Sequence, residues 1–339
     1  MARFFRSLAL LILLAVVAAA VALYDGHRQL ASPLAFAQAE NIMLAPGTRV
    51  RDAVLQLRDR DRLASVRQGL YMELYARHSG MAARIKAGEY RMEPGITGYQ
   101  ALALWVSGKV VVYDIRVVEG MRFETALAQI AAHPQIRKTL GTSDAAAIMK
   151  ALGRDGQHPE GRFFPDTYLF PRDTSDISLL KRAFDAMDKA LAAEWETRAP
   201  GLPYTSPEQA LTMASIVEKE TGQATERAEI AGVFVRRLKL GMRLQTDPTV
   251  IYGLGAAFDG NLRKRDLLAE NPYNTYLIAG LPPTPICLPS RAALHAALHP
   301  ADGQTLYFVA RGDGTHQFSA TLEEHEAAVR RYQLRGGQR

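Results

Sequence analysis

The chain opens with a hydrophobic run between charged flanks. Arg3 and Arg6 precede an uninterrupted apolar stretch over residues 8–23, after which Asp25 and Arg28 return the chain to polar sequence. At about 1.5 Å per residue the stretch spans roughly 24 Å, slightly less than the hydrocarbon of a bilayer. We therefore expect a single membrane-spanning helix. The basic flank predicts a cytoplasmic N-terminus, with the remaining chain on the exported side.

A cleaved signal peptide is the alternative to an anchor. The segments Ala20-Val21-Ala22 and Ala35-Phe36-Ala37 both have the small-x-small form of a cleavage site. The first would be cut inside the apolar run, and the second lies far downstream. We therefore prefer an uncleaved signal anchor over residues 1–24, followed by a linker over residues 25–40.

Beyond the linker the patterns predict an α+β fold in two parts. Residues 41–109 form a small α+β unit of a size that suits a binding module, and residues 110–339 form a larger mixed α/β domain. Helical spacing of apolar positions predicts helices over residues 48–57, 65–78, 123–131, 143–152, 178–197, 207–221 and 225–240, near residue 105 and from residue 322. β-branched and apolar runs predict strands over residues 110–118 and 305–310, with a hairpin-like turn at 312–314 and a frayed end at 335–339.

The composition excludes several classes of protein. The 339 residues include one cysteine, Cys287, so an intramolecular disulfide framework is excluded and stability must come from packing. The formal net charge of +6 arises from 41 basic and 35 acidic residues. These alternate in runs such as residues 58–62, which is typical of a solvated face and not of a nucleic-acid track. No Walker or dinucleotide-binding motif follows a strand.

The helix predicted over residues 207–221 places a carboxylate on its apolar side. A capping box begins the helix, and a glycine follows it. At about 100° per residue, Glu218 falls in the same sector as Ala214, whereas Ile216 points to the polar side. Glu220 lies about 200° around the helix from Glu218, near the polar boundary. We therefore expect Glu220 to be a surface carboxylate of little consequence.

The position of Glu218 suggests acid catalysis. A carboxylate held against apolar surface loses hydration, so its neutral form can persist near pH 7 and donate a proton. Cleavage of a glycosidic bond needs such an acid. The alternative is that Glu218 reaches solvent at the helix end or pairs with an arginine, as charged groups at helix ends usually do.

Three segments predicted to be loops combine aromatic, amide and acidic side chains. They are residues 160–168, 243–253 and 271–276. Sugar-binding clefts need this mixture, because aromatic rings stack on pyranose faces while amides and carboxylates bind hydroxyl groups. Taken singly, each segment is more often a turn built on Asx and proline chemistry. Together with Glu218 they indicate a cleft for glycan.

Other chemistries receive less support. His295 and His299 have the spacing of metal ligands, but no third ligand is evident, so an exposed pair is preferred to a zinc site. A dyad of Ser215 and Lys219 would lack an oxyanion hole. Cys287 is expected to be a small apolar filler. We therefore expect neither a cofactor nor a metal.

Five ordered blocks of the sequence resemble the YceG-like (MltG) family of endolytic murein transglycosylases. They are residues 160–168, 214–221, 241–250, 273–276 and 280–283. The resemblance covers nearly the whole chain, including the anchor and the first module, which in the family is LysM-like. It departs after residue 283, where the family commonly continues Gly-Pro-Ile and then Asn-Pro-Gly. This chain has Leu288-Pro289-Ser290 in the second position, which puts in doubt any sugar contact from that loop but is expected to leave the role of Glu218 untouched.

The resemblance implies an activity and a location. The protein would cross the inner membrane once and act on peptidoglycan strands on the periplasmic side, near peptidoglycan synthases. It would cleave the β-1,4 bond between N-acetylmuramic acid and N-acetylglucosamine within nascent strands, leaving 1,6-anhydro ends and terminating elongation. Glu218, aligned with the catalytic glutamate, would protonate the glycosidic oxygen and then accept the proton of the muramic C6 hydroxyl. The candidate substrate-binding residues are Phe164, Asp166, Tyr168, Gln245, Asp247, Tyr273, Asn274 and Tyr276.

The sequence leaves two other functions open. The protein could be a tethered murein-binding or scaffold protein in which Glu218 is only structural, or it could be a hydrolytic muramidase. The three possibilities differ in the ends they produce from peptidoglycan. A transglycosylase leaves anhydro ends, a binding protein produces no ends, and a muramidase leaves reducing ends.

Overall fold

The chain divides into two units, both of mixed helix and strand, in the computed structural model, which describes residues 2–334. The first unit comprises the described residues up to 113 together with residues 170–172, and the second comprises residues 114–169 and the chain from 173 onward. The boundary at 113 lies close to the one expected at 109. The end expected to fray, residues 335–339, lies outside the described residues.

In the first unit, a two-stranded antiparallel sheet is combined with four helices. The elements are α1 (Ala2–Ala31), β1 (Glu40–Leu44), α2 (Val50–Asp59), α3 (Val66–His78), a 3₁₀ turn (Met81–Ala83), β2 (Gly88–Met92) and α4 (Gly98–Ser107). In the sheet, β1 pairs with β2 from Glu40 opposite Met92 to Leu44 opposite Gly88. Trp105, Tyr90 and Met72 are fully buried in the core between sheet and helices.

The segment expected to be a linker is part of this unit. α1 continues beyond residue 24 to Ala31, and the chain after it places Leu34 and Phe36 in the core of the unit. The small residues that suggested flexibility serve close packing instead. A Cβ at Gly26 would lie 3.0 Å from the ring of Tyr71. Where the sequence predicted a linker over residues 25–40, the structure thus has the end of α1 and two side chains of the core.

The remaining elements lead into the second unit, which is mainly helical. They are β3 (Val112–Arg116), α5 (Phe123–Ala132), β4 (Ile136–Arg137), α6 (Ala145–Ala151), β5 (Thr167–Pro171), β6 (Thr174–Ser175), α7 (Asp176–Glu196), α8 (Pro207–Glu220), α9 (Arg227–Lys239), α10 (Asp247–Leu254), a 3₁₀ turn (Gly255–Ala257), α11 (Lys264–Leu267), α12 (Arg291–Leu298), β7 (Tyr307–Ala310), β8 (His316–Ser319), α13 (Leu322–Val329) and a π-helical turn (Arg330–Leu334). The strand pairs are β3 with β5, β4 with β6 in parallel, and β7 with β8 in antiparallel orientation.

The hairpin and most predicted helices are present, but three described helices, α10, α11 and α12, were not expected. β7 and β8 are joined through a turn in which Gly312 and Gly314 have φ of 88° and 86°, values that suit glycine. α10 begins at Asp247, in a segment interpreted as a loop. Its Thr-Asp-Pro start is also a helix signal, because proline in the first turn loses no hydrogen bond and an acid there is favourable.

α8 is enclosed by the second unit. Every residue from Ala210 to Val217 is buried, including Ile216, which was expected on a polar side. Helices α7, α9, α10 and α12 pack against it. A central helix needs no solvent-facing stripe, so the two-sided pattern inferred from the sequence does not apply. The two carboxylates in its last turn, Glu218 and Glu220, therefore lie among other elements of the unit.

A buried ion pair holds residues 170–172 in the first unit. Glu89 on β2 is 6% exposed and accepts hydrogen bonds from Arg172 Nε at 2.8 Å, the Tyr113 hydroxyl at 2.7 Å and Asn41 Nδ2 at 3.2 Å. Burial by itself would raise the pKa of Glu89, but these donors outweigh it and lower the pKa below its ordinary value. The carboxylate is therefore ionised and depends on its partners.

We expect Arg172→Met to destabilise the first unit. It leaves Glu89 buried without its cation, which should reduce the free energy of unfolding by about 2–4 kcal/mol at neutral pH. Because the folded-state pKa of Glu89 is lowered, this contribution is present at neutral pH and lost as the pH falls through that pKa. Urea denaturation followed by Trp105 fluorescence, with Trp195 replaced by Phe, would measure it. The double variant Glu89→Gln/Arg172→Met should be milder, and a loss that does not shrink in acid would contradict this account.

Candidate active site

Glu218 lies against the start of α12. Its Oε2 atom accepts hydrogen bonds from the backbone N–H of Ser290 at 2.9 Å and from the Ser290 hydroxyl at 2.5 Å. Ser290 is the N-cap residue of α12, and its hydroxyl also accepts a hydrogen bond from Ala293 N–H at 3.2 Å. Helix N-termini favour carboxylates as partners. Ser290 belongs to the loop where the sequence departs from the family pattern, so this departure contacts Glu218 and does not leave it untouched.

Glu220 faces a different part of the unit. It lines an open cavity of about 430 Å³, together with residues from the start of α10, from the β7–β8 hairpin and from α13. A volume of this size is within the range of sites for small organic ligands. Of the candidate substrate-binding residues, the cavity is lined by Gln245, Asp247 and Tyr276. The structure thus brings three of those residues together around Glu220.

The carboxyl group of Glu220 is poised to exchange a proton at neutral pH. Burial raises its pKa to about 7, in spite of the hydrogen bond that it accepts from the Thr246 hydroxyl. The negative charge of Asp247 adds to the rise, while His316 and Arg237 oppose it. A carboxyl group with such a pKa can act as an acid and, once deprotonated, as a base. Glu220 is therefore not the surface carboxylate expected from the sequence.

A group of buried threonines positions the cavity wall. Thr246 donates its backbone N–H to the Thr275 hydroxyl at 3.1 Å, and Thr249 and Thr275 share a hydrogen bond of 2.9 Å. Gln245 also donates its N–H to the Thr275 carbonyl at 3.1 Å and adopts φ of 52°, a strained conformation for a residue other than glycine. The Tyr276 hydroxyl donates to Asp247 at 2.6 Å. The segments 243–253 and 271–276 are thereby held side by side.

Arg237 on α9 fixes the opposite wall. Its guanidinium is buried and donates to the carbonyl oxygens of Leu306 at 2.6 Å and Leu244 at 2.8 Å. Its charge also lies 5.1 Å from the centre of the Tyr307 ring. Tyr307 and its neighbour Phe308 line the cavity. The cavity therefore combines aromatic surface with polar groups on a rigid frame.

Asn274 and Tyr273 do not line this cavity. Asn274 is fully buried, and its Nδ2 donates to the carbonyl oxygens of Leu267 at 3.1 Å and Ala269 at 2.8 Å. Its side chain therefore holds the loop and is not accessible to a ligand. The Tyr273 hydroxyl bonds to Thr284 at 2.8 Å. These two side chains therefore support the loop that carries Tyr276.

Phe164, Asp166 and Tyr168 also lie elsewhere. Tyr168 is 7% exposed and donates its hydroxyl to the Phe164 carbonyl at 2.6 Å. Phe164 packs against the core of the second unit. Asp166 is exposed and accepts a hydrogen bond from Thr167 N–H at 2.7 Å. Their contacts are those of a structured turn, which was the alternative stated for this segment.

Glu160 shows that a raised pKa by itself does not identify the site. Burial raises the pKa of Glu160 to about 7, the same value as for Glu220. Its two carboxylate oxygens accept hydrogen bonds from Phe123 N–H at 2.9 Å and from the Tyr252 hydroxyl at 3.2 Å, and it is 3% exposed. Glu160 thus supports the start of α5. Glu220 differs because an open cavity reaches it.

The largest of the described cavities lacks comparable chemistry. It has a volume of about 580 Å³, lies beside α5 and includes Asp176 in its lining. Asp176 accepts hydrogen bonds from the N–H groups of Thr139, Leu140 and Ile177. These donors lower its pKa, against the opposing effect of burial. The carboxylate of Asp176 therefore stabilises the fold.

The pair His295 and His299 has a third potential metal ligand in the structure. Glu194 on α7 lies 2.8 Å from His295 Nδ1 and 4.0 Å from His299 Nε2. Ligand atoms of the three residues lie within 4.8 Å of one another, a grouping that could hold a metal ion. Arg291 Nε also lies 3.2 Å from Glu194, so the carboxylate already has cationic partners. The sequence could not indicate Glu194, because it lies on another helix.

Sequence reasoning missed Glu220, Arg237 and His316. The available signal was the second glutamate of the Glu218-Lys219-Glu220 run. A helical wheel gives the direction of a side chain but not the element that will cover it. The β7–β8 hairpin supplies the missing cover, and His316 on β8 is held there by Glu226, which accepts from its backbone N–H at 2.9 Å.

Comparison with known proteins identifies the family of this chain. A sequence profile of the YceG-like family matches residues 42–331. The endolytic murein transglycosylase of Bacillus subtilis is 33% identical over 312 residues, which cover 86% of this chain and 84% of the relative. That of Streptococcus pneumoniae D39 is 31% identical over 213 residues, covering 61% of this chain and 37% of the relative.

A solved structure is also similar. The crystal structure of a putative yceG-like protein from Listeria monocytogenes matches with a TM-score of 0.54 and 29% identity, covering 86% of this chain and 99% of the other. The family profile extends over most of the described chain, including the cavity around Glu220. The chain belongs to the YceG-like family.

Proposed function

We propose that this protein is an endolytic murein transglycosylase. It cleaves the β-1,4 bond between N-acetylmuramic acid and N-acetylglucosamine within peptidoglycan strands and leaves 1,6-anhydro ends. The observation that supports this most directly is a carboxyl group, Glu220, whose pKa is raised to about 7 and which lines an open cavity with aromatic and polar walls. The relatives named endolytic murein transglycosylases support the same reaction.

In this proposal Glu220 serves both proton transfers. The neutral acid donates its proton to the glycosidic oxygen as the bond to C1 breaks. The resulting carboxylate accepts the proton of the muramic C6 hydroxyl as that oxygen bonds to C1, which closes the anhydro ring and regenerates the acid. No water is consumed, so a second carboxylate to activate water is not required.

The cavity walls suit the two sugars. Aromatic surface from Tyr276 can stack on a pyranose face, and Gln245 offers an amide for hydroxyl or acetamido groups. Asp247 adds a negative charge to the same cavity, which suits the positive charge that develops on the sugar in the transition state. Gln245, Asp247 and Tyr276 are therefore retained as proposed substrate-binding residues.

Glu218 remains the alternative catalytic residue. It was selected because the sequence places it on the apolar side of its helix and because the resemblance aligns it with the catalytic glutamate of the family, and it is half-buried. Its contacts with Ser290 favour a structural role, because they join the end of α8 to the start of α12. We therefore propose Glu220 as the catalytic acid and Glu218 as a structural residue that joins α8 to α12. Both assignments can be tested with the same pair of variants.

The first unit and α1 would place this activity at the inner membrane. α1 contains a span, Arg3–Ala31, long and apolar enough to cross a bilayer, and the basic N-terminus favours a periplasmic location for the rest. The order of β1, α2, α3 and β2 supports a LysM-like module that binds glycan. Such an arrangement would restrict cleavage to strands near the membrane, where peptidoglycan synthases extend them.

We expect Glu220→Gln to abolish cleavage and Glu218→Gln to retain it. Loss of the transferable proton at Glu220 should reduce the rate by a factor on the order of 10³ or more. Full-length protein in detergent would be incubated with peptidoglycan and the released ends identified by mass spectrometry. Wild-type protein should release anhydro ends. Reducing ends would instead indicate a muramidase, and no products would indicate a binding protein.

Stability provides an independent control for this pair. Burial of Glu220 raises its pKa to about 7, so ionisation costs stability as the pH rises between the unfolded-state value and 7. Glu220→Gln should therefore be more stable than wild type at pH 8, by up to about 3 kcal/mol, and similar at pH 4. Glu218→Gln should lose about 1–2 kcal/mol, because the Ser290 donors then face a neutral acceptor. A stable but inactive Glu218→Gln would transfer the catalytic assignment to Glu218.

The pH dependence should respond to Asp247. Activity requires protonated Glu220, so kcat/KM should fall as the pH rises through about 7. The charge of Asp247 supports that protonation, so Asp247→Asn should move the alkaline limb to lower pH, by roughly half a pH unit. Glu270→Gln, which changes an exposed carboxylate, is the matched control. An unchanged limb in Asp247→Asn would show that the two groups are not coupled.

We expect the mature protein to retain α1. Cleavage behind Ala37 would remove Leu30, Leu34 and Phe36 from the core, each worth about 1.5–3 kcal/mol of burial. Cleavage after Ala22 would keep these residues but separate most of the apolar stretch from the rest of the protein. Intact mass of protein from the membrane fraction should give the uncleaved chain, and a soluble form that starts at Leu23 or Gln38 would contradict the anchor.

A further inference from the structure

α1 and α3 pack against each other in opposite directions. The Ser65 hydroxyl at the start of α3 bonds to Gln29 on α1 at 2.8 Å. Two residues further along α3, Arg67 pairs with Asp25 at 3.1 Å. Residues further along α3 thus contact residues nearer to the N-terminus of α1. α3 therefore runs back along α1 toward the apolar stretch of residues 8–23.

A groove between the two helices shows how far α3 extends. Its volume is about 520 Å³, and it is lined by Ala19, Ala22 and Leu23 of α1 together with Leu74 and His78 of α3. The last turns of α3 are therefore level with residues 19–23, which belong to the apolar stretch. The groove lies within the first unit, so its two walls belong to one folded body.

The length of the apolar stretch fixes the depth of this groove. Residues 8–23 span roughly 24 Å along a helix, and the hydrocarbon of a bilayer is about 30 Å thick. If the stretch is immersed in full, residues 19–23 lie in the hydrocarbon or at its edge. The last turns of α3 then lie at the same depth and must contact lipid.

The outer surface of α3 has the composition that this location requires. Val66, Leu70 and Leu74 are 79%, 55% and 50% exposed, and their spacing of four residues places them on one face. Arg67 and Arg77 are also exposed on this helix. We call these five residues the interfacial face. Arg67 pairs with Asp25 at 3.1 Å and Arg77 pairs with Glu73 at 3.5 Å, so the apolar side chains of this face are what would favour lipid.

Tyrosines surround the groove on the inner side. Tyr71, Tyr75 and Tyr99 line it, and the rings of Tyr75 and Tyr99 meet edge to face at 4.8 Å. His27 Nδ1 on α1 lies 3.2 Å from the Tyr99 hydroxyl. Tyrosine is enriched where apolar and aqueous regions of a membrane meet, because its ring is apolar and its hydroxyl is polar.

We propose that the last turns of α3 enter the outer leaflet of the membrane beside α1, with Leu70 and Leu74 among lipid acyl chains and a lipid chain in the groove between the two helices. The inference rests on the membrane anchor proposed above. Lipid is the occupant favoured over a protein partner, because the interfacial face is continuous with the apolar stretch of α1 within one folded unit. The contact also compensates for an apolar stretch shorter than the bilayer, since α3 extends the apolar surface.

Spin labelling of the full chain in vesicles would test this proposal. Single cysteines introduced at Leu70 and Leu74 would carry a nitroxide, with Asp59→Cys as the matched control. Asp59 is exposed at the end of α2. The carbonyl oxygen of nearby Arg62 accepts a hydrogen bond from the N–H of Ala35, which follows the membrane-distal end of α1. A label at Asp59 should therefore lie away from the membrane. Cys287 is buried, so the unmodified chain serves as the labelling blank. Accessibility to oxygen, which enters lipid, would be compared with accessibility to a water-soluble nickel complex.

The expected result is several-fold higher relative oxygen accessibility at Leu70 and Leu74 than at Asp59. Vesicles of phosphatidylcholine would be used, because the proposed contact is with acyl chains and does not depend on headgroup charge. A label at Leu14 reports on the anchor itself. If Leu14 is in lipid while Leu70 and Leu74 are in water, the proposal is overturned and the anchor stands. If Leu14 is also in water, the anchor fails and the proposal fails with it.

Discussion

Helix α8 lies at the centre of its unit, so each polar group on its buried turns needs a partner inside the protein. Ser215 satisfies this by donating to the Thr212 carbonyl at 2.7 Å while accepting from Ile286 N–H at 3.0 Å. Glu218 is satisfied by Ser290. Glu220 is the carboxylate whose partners leave it protonatable and whose side remains open to a cavity. The chemistry of the site follows from this enclosure, because it raises the pKa of Glu220 and supplies the hydrogen bonds that hold Glu218.

Access, and not burial, separates the catalytic candidate from its structural counterpart. Glu160 and Glu220 have the same raised pKa for the same reason, which is loss of hydration. Glu160 is sealed by an N–H group and a hydroxyl, so its proton has no route to a ligand. Glu220 lines an open cavity with a strained Gln245 backbone in the wall. A perturbed pKa therefore gains functional meaning only together with space for a substrate.

The sequence predicted the architecture better than the site, for physical reasons. Helix ends and the β7–β8 hairpin follow from local signals such as caps, glycines and alternation. The choice between Glu218 and Glu220 depends on the elements that cover each face of α8, and those elements lie up to a hundred residues away. The same limit applies to Asn274, whose side chain is of the right type for sugar binding but is consumed by the loop. Residues 25–40 show the converse, since small residues read as flexible can equally permit close helix packing.

Two carboxylates in one helical turn can thus have separate tasks because each is assigned a different neighbour. Lys219 intervenes in sequence, and the turn of the helix directs Glu218 to α12 and Glu220 to the hairpin. Ser290 is central to this division. Its hydroxyl bonds to Glu218, so a residue in the segment that departs from the family pattern binds the carboxylate that is not in the cavity. A serine there adds a donor that glycine would lack, and the backbone N–H remains in either case. The departure is therefore best understood as reinforcement of the α8–α12 contact, which in turn keeps the last turn of α8, and with it Glu220, in a fixed position at the cavity.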